Sequence, residues 1–177
     1  MEWIRIISLA LFAAIGYGIA HDQVTARVCV EYFTIGHPII WPTESPTLLA
    51  FIWGVVATWW VGLPLGLLLA AAARLGRRPA FTARQLRRPI ADLLLVMGSC
   101  ALIAGVTGAV LARRGAVFLV EPLASRVPAA RHVAFLADLW AHSASYAAGL
   151  IGGVVLVVWT WRRRGKLPTE VVSSPPA

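Results

Sequence analysis

Residues 90–112, IADLLLVMGSCALIAGVTGAVLA, decide the class of this chain. One charged side chain, Asp92, stands in the whole stretch, and it lies near the end that follows Arg87 and Arg88. A bilayer hydrocarbon core of ~30 Å is crossed by ~20 helical residues, so this run is long and apolar enough to span it. Three further stretches share the property, at about residues 3–20, 47–73 and 132–161. Each is expected to be helical, because an isolated span satisfies its backbone polar groups in lipid only within itself. With 59% hydrophobic and 14% charged residues, a soluble domain of 177 residues has too little interior to hide this apolar surface. The expected fold is an all-α integral membrane protein. It comprises a four-helix transmembrane bundle over residues 1–168, an ordered extracytoplasmic loop between the first two helices, and a disordered cytoplasmic tail at 169–177.

Orientation follows from the distribution of Lys and Arg. Arg74, Arg77, Arg78, Arg84, Arg87 and Arg88 join spans two and three, and Arg162, Arg163, Arg164 and Lys166 follow span four. With Arg5 they place eleven basic residues on one side, against five on the other: Arg27, Arg113, Arg114, Arg126 and Arg131. Both termini are therefore expected in the cytoplasm. The net charge of +8 becomes a topology signal and an attraction to anionic lipid headgroups at the cytoplasmic face, with no nucleic-acid fold motif beside it. Arg5, the apolar run Ile6–Ile19 and Gly18-Ile19-Ala20 also read as a signal peptide, whose removal would make His21 the N-terminus. An uncleaved first helix completes an even bundle and is the reading adopted.

The outer loop from His21 to Pro46 carries most of the chemistry. Between Gln23 and Phe33, Val24, Ala26, Val28, Val30 and Tyr32 alternate with polar neighbours, which favours a short strand or extended segment. The alternative is a short interfacial helix with Arg27 and Glu31 paired at i,i+4. On the last span Asp138 and His142 are four apart and share a helical face. They continue into Ser145, Tyr146, Gly149 and Gly153, a stripe expected to face protein, with Gly98, Gly105 and Gly108 on span three and Ala13, Gly16 and Ala20 on span one. Cys29 and Cys100 lie at different depths and are expected to stay unpaired. Pro64 is the one kink signal, and otherwise unbroken spans without buried charge in their cytoplasmic half count against a transporter.

Taken singly, each polar residue has a structural explanation. Asp138 can orient His142, Glu31 can pair with Arg27, and His21-Asp22 can finish a helix. Together, three histidines and three carboxylates fall on one side of the bilayer within reach of one bundle end. Imidazole with carboxylate suits Zn, Fe or Mn, and Cu where histidine dominates. The expected ligands are His21, Asp22, Glu31 and His142, with Gln23, Arg27, Tyr32, His37 and Asp138 around them to orient or neutralise. Such a site would serve a metal-dependent enzyme of unspecified reaction. Two other classes remain open: an electron carrier with b-type haem between His21 and His142, and a non-catalytic accessory or assembly subunit.

The run Tyr17-Gly18-Ile19-Ala20-His21-Asp22-Gln23-Val24-Thr25, then Glu31-Tyr32-Phe33-Thr34 and His37-Pro38, resembles a group of small, uncharacterised bacterial inner-membrane proteins with an HDQ-x-T…EYFT outer-loop signature. The resemblance covers the first span and outer loop, and extends to the four-span layout and the late histidine. It implies a multi-pass protein of the bacterial inner membrane and singles out His21, Asp22, Gln23 and Glu31. It implies no reaction.

Overall fold

A computed structural model describes residues 1–166. The expected tail at 169–177 lies outside the described residues. Seven α-helices follow one another: α1 (Glu2–Val28), α2 (Val30–Thr34), α3 (Pro46–Val56), α4 (Trp59–Arg74), α5 (Ala83–Arg113), α6 (Leu123–Arg126) and, after a 3-10 turn at Ala129–Arg131, α7 (His132–Arg164). Four helical units are long and apolar enough to cross a membrane: Glu2–Val28, Pro46–Arg74, Ala83–Arg113 and Ala129–Arg164. Among the described residues the secondary structure is entirely helical.

The long helices close a ring in which α1 packs on α3 and α4, α4 on α7, α7 on α5, and α5 back on α1. The tightest crossing is set by two glycines. A Cβ at Gly18 would lie 2.5 Å from the Thr58 methyl and 2.7 Å from the Gly54 carbonyl, and one at Gly54 would lie 2.5 Å from the Ile19 nitrogen. Backbone therefore touches backbone, as small residues permit between membrane helices. Gly16, expected among the small packing residues of the first span, faces open space instead. The stripe on α7 does turn inward, with Asp138, His142, Ser145, Gly149 and Gly153 all buried, while Tyr146 stays exposed.

Two expectations about continuity are corrected. The segment 23–33 is not extended: α1 runs on to Val28, Cys29 alone is extended (φ −149°, ψ 97°), and α2 follows. Adding a turn to an existing helix costs far less than nucleating a new element. The buried set here is Gly18, Asp22, Thr25, Ala26 and Cys29, a helical stripe, while Val24 is 64% exposed. The valine alternation was thus not a core pattern. The second apolar unit is broken between Val56 and Trp59. There Thr58 donates its hydroxyl to the Gly54 carbonyl at 2.5 Å, a back-bond that bends helices. Pro64 lies further on, inside α4.

Apolar side chains form two cores, one at each end of the ring. Ala26, Cys29, Tyr32, Phe33, Phe135 and Leu136 anchor the first, with Leu119 and Val127 from the α5–α7 connection. Ile6, Leu69, Phe81, Leu86 and Ile90 anchor the other. At that second end, just past the expected span 132–161, Arg164 is fully buried. Its guanidinium donates to the carbonyls of Ala72 (2.5 Å), Pro79 (2.7 Å) and Arg78 (2.8 Å). These include an acceptor in the last turn of α4, which a helix C-terminus leaves without partners.

Candidate metal centre

Helix α1 brings His21 and Asp22 to the first core, and α7 brings His142 to meet them across the ring. His21 is half-buried, whereas Asp22 and His142 are 5% and 6% exposed. One potential ligand atom from each of the three lies within 4.8 Å of the others. The closest pair is His142 Nε2 and Asp22 Oδ1, 3.2 Å apart.

The hydrogen-bond roles at this pair are constrained. His142 Nδ1 lies 2.8 Å from the Asp138 carbonyl oxygen. A carbonyl only accepts, so Nδ1 carries a proton and donates it. In a neutral imidazole Nε2 is then a lone pair, and it faces a carboxylate oxygen that is also an acceptor. A proton or a cation between them resolves the conflict. His21 Nε2 and Asp138 Oδ2 sharpen it, because both are buried with no hydrogen-bond partner. Buried polar atoms are rarely left unpaired, and such orphans call for a bound water, an ion or a functional role.

Rings pack the group into place. His142 is stacked on Tyr32 at 4.4 Å between centroids and meets His21 edge-on at 4.5 Å. His21 is stacked on Tyr17 at 5.8 Å, and the Tyr17 hydroxyl shares a 2.8 Å hydrogen bond with the Ser145 hydroxyl. Tyr17 and Ser145 were not among the expected site residues. They lie four before His21 and three after His142, the spacing that puts them on the same helical faces.

The other expected residues are dispersed. Glu31 accepts from Arg131 Nε at 3.0 Å through both carboxylate oxygens and from the Cys29 thiol at 3.3 Å. Burial alone would raise the Glu31 carboxyl. Its own backbone N–H and the Arg131 guanidinium outweigh this and hold it below the usual range. Arg27 reaches Gln23 and the Thr47 hydroxyl instead of Glu31, and so ties α1 to the start of α3. Gln23 donates weakly to the Thr47 carbonyl at 3.4 Å. His37 sits between Tyr32 and Trp53, with Nδ1 2.8 Å from the Tyr32 carbonyl, and burial lowers its imidazole below the ordinary value. Burial likewise pushes the Tyr32 phenol up and the Cys29 thiol to about 12. Asp138 acts on His142 through its main chain, a contribution that its side-chain identity does not reveal. Cys29 and Cys100 are unpaired, as expected.

Two histidines and one carboxylate, with a defined tautomer on one ring, make a known class of donor set. Two His with one carboxylate hold zinc in hydrolases and iron(II) in oxygenases, leaving coordination positions open. A backbone carbonyl fixing the far nitrogen of a ligand histidine is the usual outer support of such sites. No protein-family model, curated protein or solved structure matches this chain.

Proposed function

We propose that this chain is a multi-pass protein of a bacterial inner membrane that holds one divalent transition metal on its outer side, through His21 Nε2, Asp22 Oδ1 and His142 Nε2. The carrying observation is the 3.2 Å approach of two acceptors, His142 Nε2 and Asp22 Oδ1, at a buried site. A metal bonded at ~2.0–2.2 Å with tetrahedral angles separates its ligand atoms by about 3.3 Å, close to that spacing. His21, whose separations run up to 4.8 Å at most, closes the set by a small inward movement of its ring. The hard–borderline donor set favours Zn²⁺ or Fe²⁺, then Mn²⁺.

Three protein ligands leave an open position. A metal so held activates a bound water or oxygen, or polarises a carbonyl. The haem alternative gains no support from the geometry: the His21 and His142 rings touch at 4.5 Å and leave no gap for a porphyrin between them. The accessory-subunit reading differs in a measurable way, since it requires no ion.

The test is elemental mass spectrometry on protein purified in mild detergent without chelator. About one equivalent of a transition metal per chain, lost in His142→Ala while helix content is retained, supports the reading. A metal-free wild type that does not take up Zn²⁺ or Fe²⁺ on titration overturns it. Reporter fusions at either terminus check the orientation, which predicts cytoplasmic signals from both.

A further inference from the structure

On the outside of the ring, α4 and α7 leave a groove between them at the end where both helices finish. It has a volume of about 330 Å³, with Leu68, Ala71 and Leu75 on one wall and Val157, Val158 and Trp161 on the other. Leu68, Leu75, Val158 and Trp161 are exposed, so the groove opens to whatever surrounds the bundle. From Leu68 to Leu75 is seven residues, about 10 Å at 1.5 Å per residue. That is a surface channel for the first part of a chain.

The rim of the groove is fixed and basic. Arg78 lies over the Trp161 ring, its guanidinium carbon 4.4 Å from the centroid, and its Nη1 donates to the Trp161 carbonyl at 2.8 Å. The loop that carries it is tied down as well. Buried Arg164 donates to the Arg78 and Pro79 carbonyls, and the Phe81 N–H donates to the Ala73 carbonyl. Arg164 spends Nε, Nη1 and Nη2 on carbonyls, whereas Arg78 is exposed and, among the described residues, pairs with no carboxylate. Arg162 follows Val158 by four residues, which puts it on the same face of α7, and it too is exposed. Residues 74–88 and 162–166 contain Arg and Lys but no Asp or Glu.

The negative ends of α4 and α7 point to this rim and oppose an anion. Their carbonyls are already occupied, that of Ala72 by Arg164, that of Ala73 by the Phe81 N–H and that of Trp161 by Arg78. Each helix end amounts to about half a charge, against a full charge on each arginine. The rim is therefore net positive.

We infer that the α4–α7 groove is a site for one anionic glycerophospholipid, with its phosphate on Arg78 and Arg162 and one acyl chain laid along Leu68, Val158 and Trp161. The occupant follows from the junction of two surfaces. Any lipid chain can lie in an apolar groove, and a diffuse basic surface attracts any anion. Only a molecule with an anionic head directly above an acyl chain satisfies both at once. A zwitterionic lipid carries an ammonium beside its phosphate, which the same arginines repel. A guanidinium already stacked and anchored meets phosphate oxygens with little further ordering. The inference rests on the membrane reading proposed above and is independent of the metal centre.

In the experiment the full chain in detergent micelles is titrated with phosphatidylglycerol or phosphatidylethanolamine of the same acyl chains, and native mass spectrometry counts bound lipid. One phosphatidylglycerol is expected to bind at least about tenfold more tightly than phosphatidylethanolamine, with an affinity that falls as salt rises. Arg78→Gln should weaken that step about tenfold. Val158→Trp fills an exposed position of the groove without changing charge, and should weaken it comparably. Arg87→Gln removes an exposed arginine of α5 and should leave it unchanged; an equal loss there would reduce the site to diffuse headgroup attraction. Equal binding of the two lipids by the wild type overturns the inference, and that comparison needs no variant to fold. Inorganic phosphate that displaces the lipid as well as unlabelled phosphatidylglycerol does would leave the groove no part and overturn it too. A lipid-independent dimer that Val158→Trp disperses would give the groove to a second copy of the chain. Stripping metal with a chelator should leave lipid binding intact. A chain that does not float with phosphatidylethanolamine vesicles loses the membrane reading and this inference together, whereas one that floats without lipid preference loses only the inference.

Discussion

The two ends of this bundle bury charge in opposite ways. At one end Arg164 is fully buried, and its guanidinium meets three backbone carbonyls at 2.5–2.8 Å. At the other, Asp22, Asp138 and His142 are nearly as buried, yet Asp138 Oδ2 and His21 Nε2 have no partner and His142 Nε2 faces an acceptor. A buried polar group that is satisfied by its own chain stabilises the fold and has nothing left to offer a ligand. One that is left unsatisfied is costly in the protein alone and becomes favourable once something binds. For the buried charged and ionisable groups the contrast fits a structural role at the first end, where the uncharged Thr160 hydroxyl is the unpartnered atom, and the ligand role proposed for the second.

Breaking the satisfied end is expected to have the largest effect on stability. Arg164→Met removes the donors and leaves the Ala72 carbonyl buried without one, while those of Arg78 and Pro79 lie in a partly exposed loop, at a cost of roughly 1–3 kcal/mol. Unfolding in a mixed denaturing detergent should show it as a large loss of folded fraction, with metal content per folded chain unchanged. The unsatisfied end should answer in reverse. His142→Asn, which keeps part of the packing and a donor toward the Asp138 carbonyl, is expected to lower metal occupancy by at least about tenfold while lowering the unfolding midpoint of metal-free protein less than Arg164→Met does. A strongly destabilised, metal-indifferent His142→Asn would make both ends structural and erase the comparison.

Asp138→Asn sharpens it further. The bond to His142 comes from the main chain at 138, so the ring keeps its support and its tautomer. The substitution exchanges an unpartnered carboxyl oxygen for an amide NH2 of nearly the same shape, so metal-free protein is expected to hold its stability, read from the same unfolding curve. A marked loss would mean that the carboxyl has a partner in solution.

The spans were legible because the bilayer as solvent imposes apolarity over about twenty residues, a scale that composition alone resolves. The convergence of His21, Asp22 and His142 was legible because an alternating order of four long helices brings the end of the first and the start of the last to one end of the bundle. Glu31 was not, since its partner Arg131 is a hundred positions away and arrives through the 3-10 turn before α7. No spacing within the outer loop contains that information. Residues 23–33 misled for a related reason: alternation in a short run does not show which face is covered, and the cover comes from Phe135 and Leu136 of α7. The break at Thr58 is set by the Gly18–Gly54 crossing and a side-chain back-bond, whereas the conspicuous Pro64 lies inside a continuous helix.

Between the two ends of the polarity scale stands the outer loop, where smaller effects are expected. His37 has its imidazole lowered by burial, and the nearby His142 lowers it further while Asp22 and the Tyr32 carbonyl oppose this. Between its folded value and the ordinary 6.5, the unfolded chain binds the extra proton, so stability rises with pH there. The contribution is complete above about 6.5 and is lost as pH falls through the folded value. Thermal unfolding from pH 7.5 down to 5.5 should show a decline that is shallower in His37→Gln. A slope that is identical in both proteins would assign the decline to other groups.

Glu31→Gln should do least. The Glu31 and Arg131 side chains are 20% and 37% exposed, so solvent screens the pair and its loss costs about 1 kcal/mol or less. Arg131 keeps its bond to the Val28 carbonyl, which continues to hold α7's leading turn against the end of α1. Metal occupancy is expected to stay at the wild-type level, because the carboxylate is turned toward Arg131 and Cys29 rather than His142. Were occupancy to fall as far as in His142→Asn, Glu31 would have to leave Arg131 and join the ligands. The satisfied and unsatisfied groups of this molecule would then exchange partners on metal binding, and the division between its two ends would describe only one of its states.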